Sequence, residues 1–490
     1  KTLRNTRVNT METKLDKGYT DNLPLWAQVR AAIRGKQGAI KLLDGSDGYY
    51  GLVPPAYRVT NDNYDTVDKR RRSYFARGRF FNATGRTHDA YVGMIGAKPV
   101  ETEVPEGLTD FMESVDGENS TINDFALEIA SEMLITGRYG VLVDPPNNEG
   151  KTRSQMETSK LIGYTAESMP HHVVSGGKLV LVDLLELYWE KEGDEYECKE
   201  QVRRLELIDG VYTSKIKRDG DWEQLMTPSI NGRPLNYIPF QFFGSEQNKP
   251  IYDRPVMFDL AHENMGHFQL SCDNLENLHY HGQGMTNVYS SMDIDQFNEM
   301  NPNGLDVGAK GINMLEQGDK VEILQIAATG AISTEMERVE KRMIMLGAQV
   351  TQDASTNQTL GAKEIESNAS TSQLKRIAVN TSKGLQWCIE QAALFMGISG
   401  DIEVKVNDQF VTDDMTAQDV QSVFQAVQGG SLPQSVLLNT ARKAGYTDKT
   451  NDELIEELED SGIEGSTERE AELQMEIDNL REQLANQGGE

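Results

Sequence analysis

At 490 residues, 38% hydrophobic and 26% charged, the chain is long enough for two or three domains, each with its own core. Its formal net charge of −29 argues against tight or sequence-specific DNA binding, because gripping phosphates takes a basic surface; an acidic surface suits a protein past which DNA slides without sticking. No apolar run approaches the ~18–20 residues of a membrane span, and the first residues lack an apolar signal-peptide core, so neither feature is expected.

The first residue is Lys rather than Met, which leaves room for residues upstream. Cys198, Cys272 and Cys388 are odd in number and far apart, which fits free thiols in a reducing compartment. Cys272 and Cys388 fall on apolar helical faces and read as core.

In chain order, Trp26–Leu43 has a helical pattern, with Trp26, Val29, Ile33 and Ile40 on one side. Lys69–Arg72 is a run of four basic residues. It could touch nucleic acid, but reads better as an exposed helix face that pairs with acidic neighbours at a subunit contact. Asn119–Gly137 is a helix: Ser120 or Thr121 caps its start, Ile122, Phe125, Ile129 and Met133 form the stripe, and Gly137 stops it. Gly140–Pro146 is a short buried strand. Lys178–Tyr212 reads as strands turning near Gly176-Gly177, Gly193-Asp194 and Asp209-Gly210.

An apolar strand, Ile238–Phe243, leads into a long helix with Met257, Ala261, Met265, Phe268, Cys272 and Leu275 on one face. Met285–Gly330 is rich in Gly, Asn and Asp and holds a strand candidate at Lys320–Ile326. Thr334–Gln349 is a helix with Met336, Val339, Met343 and Leu346 on one side and Arg338, Lys341 and Arg342 on the other. Thr351–Ser370 is polar and reads as a loop. A long helix over Ser372–Met396 and a strand over Ile402–Val406 follow. Helices near Thr416–Val427 and Pro433–Lys443 flank a Gly-Gly-Ser-Leu-Pro break. From Asn451 onward there are fourteen acidic residues against two basic ones, with Leu473, Ile477, Leu480 and Leu484 in a short heptad seam. So charged a peptide should be helical only when packed, most simply against copies of itself.

Gly304–Gly311 falls short of a phosphate loop in spacing, in its last residue and in context. His262, His267, His279 and His281 cluster in sequence, but no zinc-type spacing accompanies them, so they read as structural or exposed. No nucleophile elbow or paired acid/base carboxylates appear.

With its Pro239-Phe240 strand ahead of a helix bearing Asp259-Leu260-Ala261, Asn264 and His267, Tyr237–Gly282 resembles the middle of tailed-bacteriophage portal (head–tail connector) proteins, in the branch that carries this pattern. The resemblance extends from about Trp26 to Gly445. Tyr74, Arg77, Phe80, Asn82, Thr87 and Gly93 match one family segment. Gly137-Arg138-Tyr139-Gly140-Val141-Leu142-Val143-Asp144 matches Gly-Arg-x-Gly-x-Leu-Val-Asp, and Tyr164, Ala166, Glu167 and Ser168 match Tyr-x-Ala-Glu-Ser. Ser271 and Asn277 extend the helix match. Where the family places a Trp after that Ser, this chain has His171 and His172, which leaves the local packing open.

The resemblance implies an α+β portal fold. Its parts would be an α/β wing (1–250), a stem helix (251–281), a small α/β clip (282–332), a second stem helix (333–350), a tunnel loop (351–370), a long wing helix and strand (371–411) and a helical crown with a short C-terminal coiled-coil or barrel helix (412–490). It implies a homo-oligomeric ring of about twelve copies at one capsid vertex of the virion, assembled in the host cytoplasm. Double-stranded DNA would pass through it without sequence specificity in packaging and ejection. Its partners would be the terminase large subunit, which supplies the ATPase, a head–tail adaptor, and the major capsid and scaffolding proteins. No cofactor, metal or hydrolytic activity of its own is implied, and no membrane. Channel and tunnel-loop candidates are Arg338, Lys341, Arg342, Ser355, Thr356, Asn357 and Lys363; the crown seam is Leu473, Ile477, Leu480 and Leu484. An acidic capsid scaffold without a channel is the alternative from another class, and a metal-dependent hydrolase built on the histidines is a third.

Overall fold

The structure is a computed structural model. It describes residues 14–44, 64–146, 158–218, 220–230, 233–282, 285–289, 293–300, 318, 320–324, 330–347 and 360–410, with 424, 425, 427 and 436. The chain divides into two compact units, Lys1–Asp408 and Gln409–Glu490. The crown seam, the Gly304–Gly311 near miss, and Ser355, Thr356 and Asn357 lie outside the described residues. No described helix is long and apolar enough to cross a membrane.

In order, the elements are α1 (Lys17–Ile33), α2 (Lys36–Leu43), α3 (Tyr64–Arg77), α4 (Ala83–Ile95), β1 (Glu101–Glu103), α5 (Thr109–Glu113), α6 (Ile122–Thr136), β2 (Arg138–Asp144), β3 (Lys160–Thr165), β4 (His171–Ser175), β5 (Lys178–Glu192), β6 (Glu195–Ile208), β7 (Val211–Arg218), β8 (Asp221–Met226), β9 (Ser229–Ile230), β10 (Arg233–Pro234), β11 (Phe240–Gly244), α7 (Phe258–Gly282), β12 (Met285–Tyr289), α8 (Ile294–Met300), β13 (Lys320–Leu324), α9 (Ala331–Met345), α10 (Leu360–Met396) and β14 (Glu403–Lys405). Helix and sheet are mixed, as an α+β chain requires.

α6 forms where the sequence signals it. Thr121 accepts from the Asp124 N–H while Asp124 accepts back from the Thr121 N–H, a reciprocal cap. At the other end Gly137 sits in the left-handed region, φ 74°. A Cβ there would come within 2.8 Å of the Asp253 carbonyl oxygen. Gly137→Ala should therefore lose about 2–4 kcal/mol, from left-handed strain plus a backbone clash. A shift of the urea midpoint at unchanged slope checks it.

β11, β2 and β3 form an antiparallel three-stranded sheet, and β4-β5-β6-β7-β8 form an antiparallel five-stranded one. Phe240 and Phe242 of β11, Leu142 of β2 and Tyr164 of β3 close a core with Val182, Leu184, Leu205 and Tyr212 from the larger sheet. α10 packs on β11 and on α6, burying Leu374, Ile377, Leu385, Cys388 and Ala392. The turns fall where the sequence puts them, and Gly177, Gly193, Asp209 and Gly210 adopt positive φ.

Two expectations need correction. Trp26–Leu43 is not one helix: α1 starts at Lys17 and ends at Ile33, and Gly35, at φ 75°, separates it from α2. The apolar period runs through the break, so periodicity alone hides it. The loop expected over 351–370 does not hold for its second half: α10 already runs from Leu360, so residues 360–370 are helical, and 351–359 lie outside the described residues. α9 likewise spans Ala331–Met345 rather than Thr334–Gln349, and Leu346, expected on the buried stripe, is exposed.

The three cysteines are free thiols. Cys272 and Cys388 are fully buried, and burial raises both thiols, Cys272 to about 12. Cys198 is partly exposed on β6. Brief maleimide treatment of the folded, unassembled chain at neutral pH should add one label per chain, at Cys198; intact mass and peptide mapping check it.

Candidate functional site

The sequence resemblance centres on α7, and the structure pairs this helix with α9. Met257, Ala261, Met265, Phe268 and Cys272 are buried on one side of α7, and Val339 and Met343 are buried on α9. Arg342 Nε lies 3.0 Å from Glu263 Oε2, and His267 Nε2 lies 3.0 Å from Glu340 Oε1. A lower number on one helix meets a higher one on the other, so the pair is antiparallel. Between the two helices in sequence, β12 and β13 pair in antiparallel register from Met285–Leu324 to Tyr289–Lys320.

The back of α7 is tied down by polar contacts. Asn264 is fully buried; its Oδ1 accepts from the Thr84 N–H (3.0 Å) and the Thr84 hydroxyl (2.9 Å), and its Nδ2 donates to the Phe81 carbonyl (2.7 Å). Thr84 lies in the first turn of α4, where backbone N–H groups have no partner within the helix. Asn82 caps Gly85 of the same turn, and Asn264 caps Thr84 from α7. The Ser271 hydroxyl accepts from the Arg79 N–H (3.0 Å), and the Tyr74 hydroxyl donates to Asp273 (2.7 Å). Arg77 pairs with Glu276, and Gln28 Nε2 donates to His262 Nδ1 (3.1 Å). Thus Leu260, Ala261, Asn264, His267 and Ser271 of the matched pattern are buried and position the helix, whereas Asp259 and Asn277 are exposed.

The candidate cations Arg338, Lys341 and Arg342 are exposed on α9; Lys341 lies opposite the buried Val339 and Met343, whereas Arg342 lies beside Val339 toward α7. Arg338 pairs with Glu335 at 3.3 Å. Arg342 pairs with Glu263 and Glu335, and those bonds raise its pKa further. Among the described residues Lys341 has no carboxylate partner. Lys363 lies in the opening turns of α10; its side chain is outside the described residues. The helices border a cleft of about 510 Å³ lined by Tyr74, Phe75, Glu263, Gln269, Val339 and Arg342. His262 and His267 reach separate partners, and among the described residues no three His, Cys, Asp or Glu side chains gather as a metal site would need.

Two ionic clusters, one around buried Arg138 and one half-buried, which sequence reasoning did not find, brace the other matched segments. Arg138 is 1% exposed; its Nη1 donates to the Ile251 carbonyl (2.8 Å), and the guanidinium lies between the rings of Phe242 (4.6 Å) and Tyr252 (4.2 Å). Burial lowers it to about 10 against the pull of Tyr252, Asp16 and Asp253. His171 and His172, in place of the family's Trp, close on Asp16 just ahead of α1: His171 Nδ1 lies 2.6 Å from Oδ1, and the His172 N–H donates to Oδ2 (3.1 Å). The second cluster is Arg30 of α1 between Glu132 of α6 and Glu167. Glu167 lies in the matched Tyr-x-Ala-Glu-Ser segment, but nothing in the local sequence marks it as an ion-pair partner of Arg30.

Residues 256–396 match a family described as a domain of unknown function (DUF4055). No curated protein matches. Among solved structures, the chain is similar to one from the virion of a native gene transfer agent (GTA) particle, at 12% identity and TM-score 0.41, over 74% of this chain and 88% of that one. It is similar to one from the neck of an empty GTA particle, at 13% and 0.42, over 75% and 90%. An HK97 family phage portal protein from Corynebacterium diphtheriae aligns at 10% and 0.30, over 66% and 93%. Identities this low and TM-scores below 0.5 leave the functional reading to the chain's own residues.

Proposed function

We propose that this chain is a portal subunit: many copies form a ring at one capsid vertex, with α7 and α9 as the stem around a channel for double-stranded DNA. The observation that carries this is the antiparallel α7–α9 pair, seated on α4 and the link before it by Asn264 and Ser271 from the portal-like pattern. A stem must resist side load from a moving polymer, and a helix fastened by buried polar ties along its length does so better than one held by apolar contact alone.

The acidic balance of the chain fits a channel that does not trap phosphates. Arg338 and Arg342, already paired with carboxylates, would present little net positive charge, and Lys341 would be the grazing contact. Terminase would supply the ATPase and the portal no catalysis; adaptor, capsid and scaffolding contacts belong to the same reading. In native mass spectrometry the expected species is a closed ring of about twelve copies of the 54.7 kDa chain. A monomer or small oligomer at micromolar concentration would favour the scaffold alternative and remove the ring.

A further inference from the structure

β5 and β6 are far longer than their neighbours. They pair from Leu181–Glu206 out to Glu192–Glu195, whereas β4 covers β5 only up to Asp183 and β7 covers β6 only from Val202. The hairpin from Leu187 to Glu200 is therefore a two-stranded arm, reaching about 20 Å past the sheet at ~3.3 Å per residue. A two-stranded ribbon is marginal alone and gains from a partner surface.

The arm's two faces differ. One carries Leu187, Trp189, Tyr196 and Cys198 with Lys191 and Glu200 beside them; Leu187 is 46%, Trp189 61% and Tyr196 65% exposed. On the other, Lys199 bridges Glu190 (2.7 Å) and Glu192 (2.6 Å), which stiffens the ribbon. Asp194 and Glu195 project at the tip, and from Glu186 to Glu200 there are seven acids and two bases.

The chain also carries the complement. Although the whole is strongly acidic, residues 14–98 hold fifteen basic and eight acidic residues and no Glu at all. Lys69, Arg72, Arg79 and Arg86 are exposed on α3, α4 and the link between them, and Lys69 and Arg72 share one helix face at a spacing of three.

We propose that the β5–β6 arm docks on the basic α3–α4 surface of a second copy of this chain, the aromatic face making contact and the acidic tip setting register. Arm and helices are different patches, so the contact is head-to-tail and closes into a ring when the rotation allows. Opposite charges at the two ends would steer each copy into line and oppose tip-to-tip contacts. The inference rests on the ring reading and names the surfaces that join its subunits.

Charge exchange tests it. Asp194→Lys with Glu195→Lys, or Lys69→Glu with Arg72→Glu, should each raise the concentration for half-assembly about tenfold, the scale of close interfacial charge pairs. All four together should restore it to within about threefold. These side chains are exposed, so each variant should keep the parent circular dichroism. Maleimide labelling of Cys198 should also slow about tenfold on assembly. If rings form but neither exchange alters assembly and Cys198 labels at one rate throughout, the arm contact is wrong and the ring stands. If the four-fold variant assembles no better than either pair, the two patches do not meet. If the unaltered chain stays monomeric at micromolar concentration, both ring and arm contact fall.

Discussion

Replacing Asn264 with leucine is expected to cost about 3 kcal/mol. Leucine has as many side-chain heavy atoms as asparagine and is the bulkier residue, so the loss comes from unmade bonds rather than a cavity. The Thr84 N–H and the Thr84 hydroxyl would each lose their partner in a fully buried place, and the Phe81 carbonyl would keep only the Ala83 N–H (2.8 Å). An unsatisfied buried polar group costs about 1–3 kcal/mol; the Thr84 hydroxyl can rotate to another acceptor, but the Thr84 N–H cannot, and the Phe81 carbonyl loses one of its two donors. Asn264→Asp separates the parts: it keeps an acceptor at the start of α4, where negative charge is welcome, but sets an oxygen against the Phe81 carbonyl. It should recover part of the loss and remain below the parent. Chemical denaturation gives the totals. Hydrogen exchange should place the damage at the first turn of α4 and the middle of α7; if the loss spreads evenly instead, Asn264 is not a local tie. On the portal reading, the same substitution should loosen the stem while leaving the five-stranded sheet protected.

Much of the fold was legible where chemistry punctuates the chain. Thr121 with Asp124 and Gly137 bracket α6 by side-chain and φ requirements that few other residues meet. The turns of the five-stranded sheet sit on Gly and Asp pairs for the same reason. Gly35 was missed because the stripe on both sides of it keeps helical phase and one glycine inside a period does not announce a break. Residues 360–370 were missed for the opposite reason. Their composition is polar, but they continue a helix whose later turns are locked by Leu374, Ile377 and Leu385, and propagation costs little once a nucleus is buried.

The site was half legible. The α7 stripe predicted which residues face inward, and Met257 through Cys272 do. The resemblance flagged Asn264, His267 and Ser271, but their partners lie at Thr84, Glu340 and Arg79. Nothing local to a helix encodes a bond across 180 residues. The cations on α9 were found as a face, whereas their pairing with Glu335 and Glu263 depends on the approach of α7.

Arg30→Met is expected to be the most damaging single change away from α7, at about 3–5 kcal/mol, because it leaves two carboxylates facing each other with little solvent. In the intact protein the guanidinium lies between them: Nη1 and Nη2 donate to Glu132 (3.0 and 2.6 Å), and Nη2 also donates to Glu167 Oε2 (2.8 Å) while Nε serves the other oxygen. Burial raises Glu132, with Arg30 opposing it and Glu167 adding to it. Removing Arg30 takes away the opposing influence, so the folded-state pKa of Glu132 climbs further above the ordinary 4.5. A carboxylate raised on folding favours the folded state below its unfolded value and loses that support as pH rises through the folded one. The deficit of Arg30→Met should therefore be largest near pH 7 and shrink toward pH 4.5, measured as the difference in denaturation free energy from the parent at each pH. Adding Glu132→Gln and Glu167→Gln removes the buried charge and should return more than half of the loss at pH 7, with little pH dependence left. A deficit that is flat with pH and unmoved by the glutamines would mean that Arg30 acts through the packing of its methylene stem between α1 and α6, and not through the ion triad.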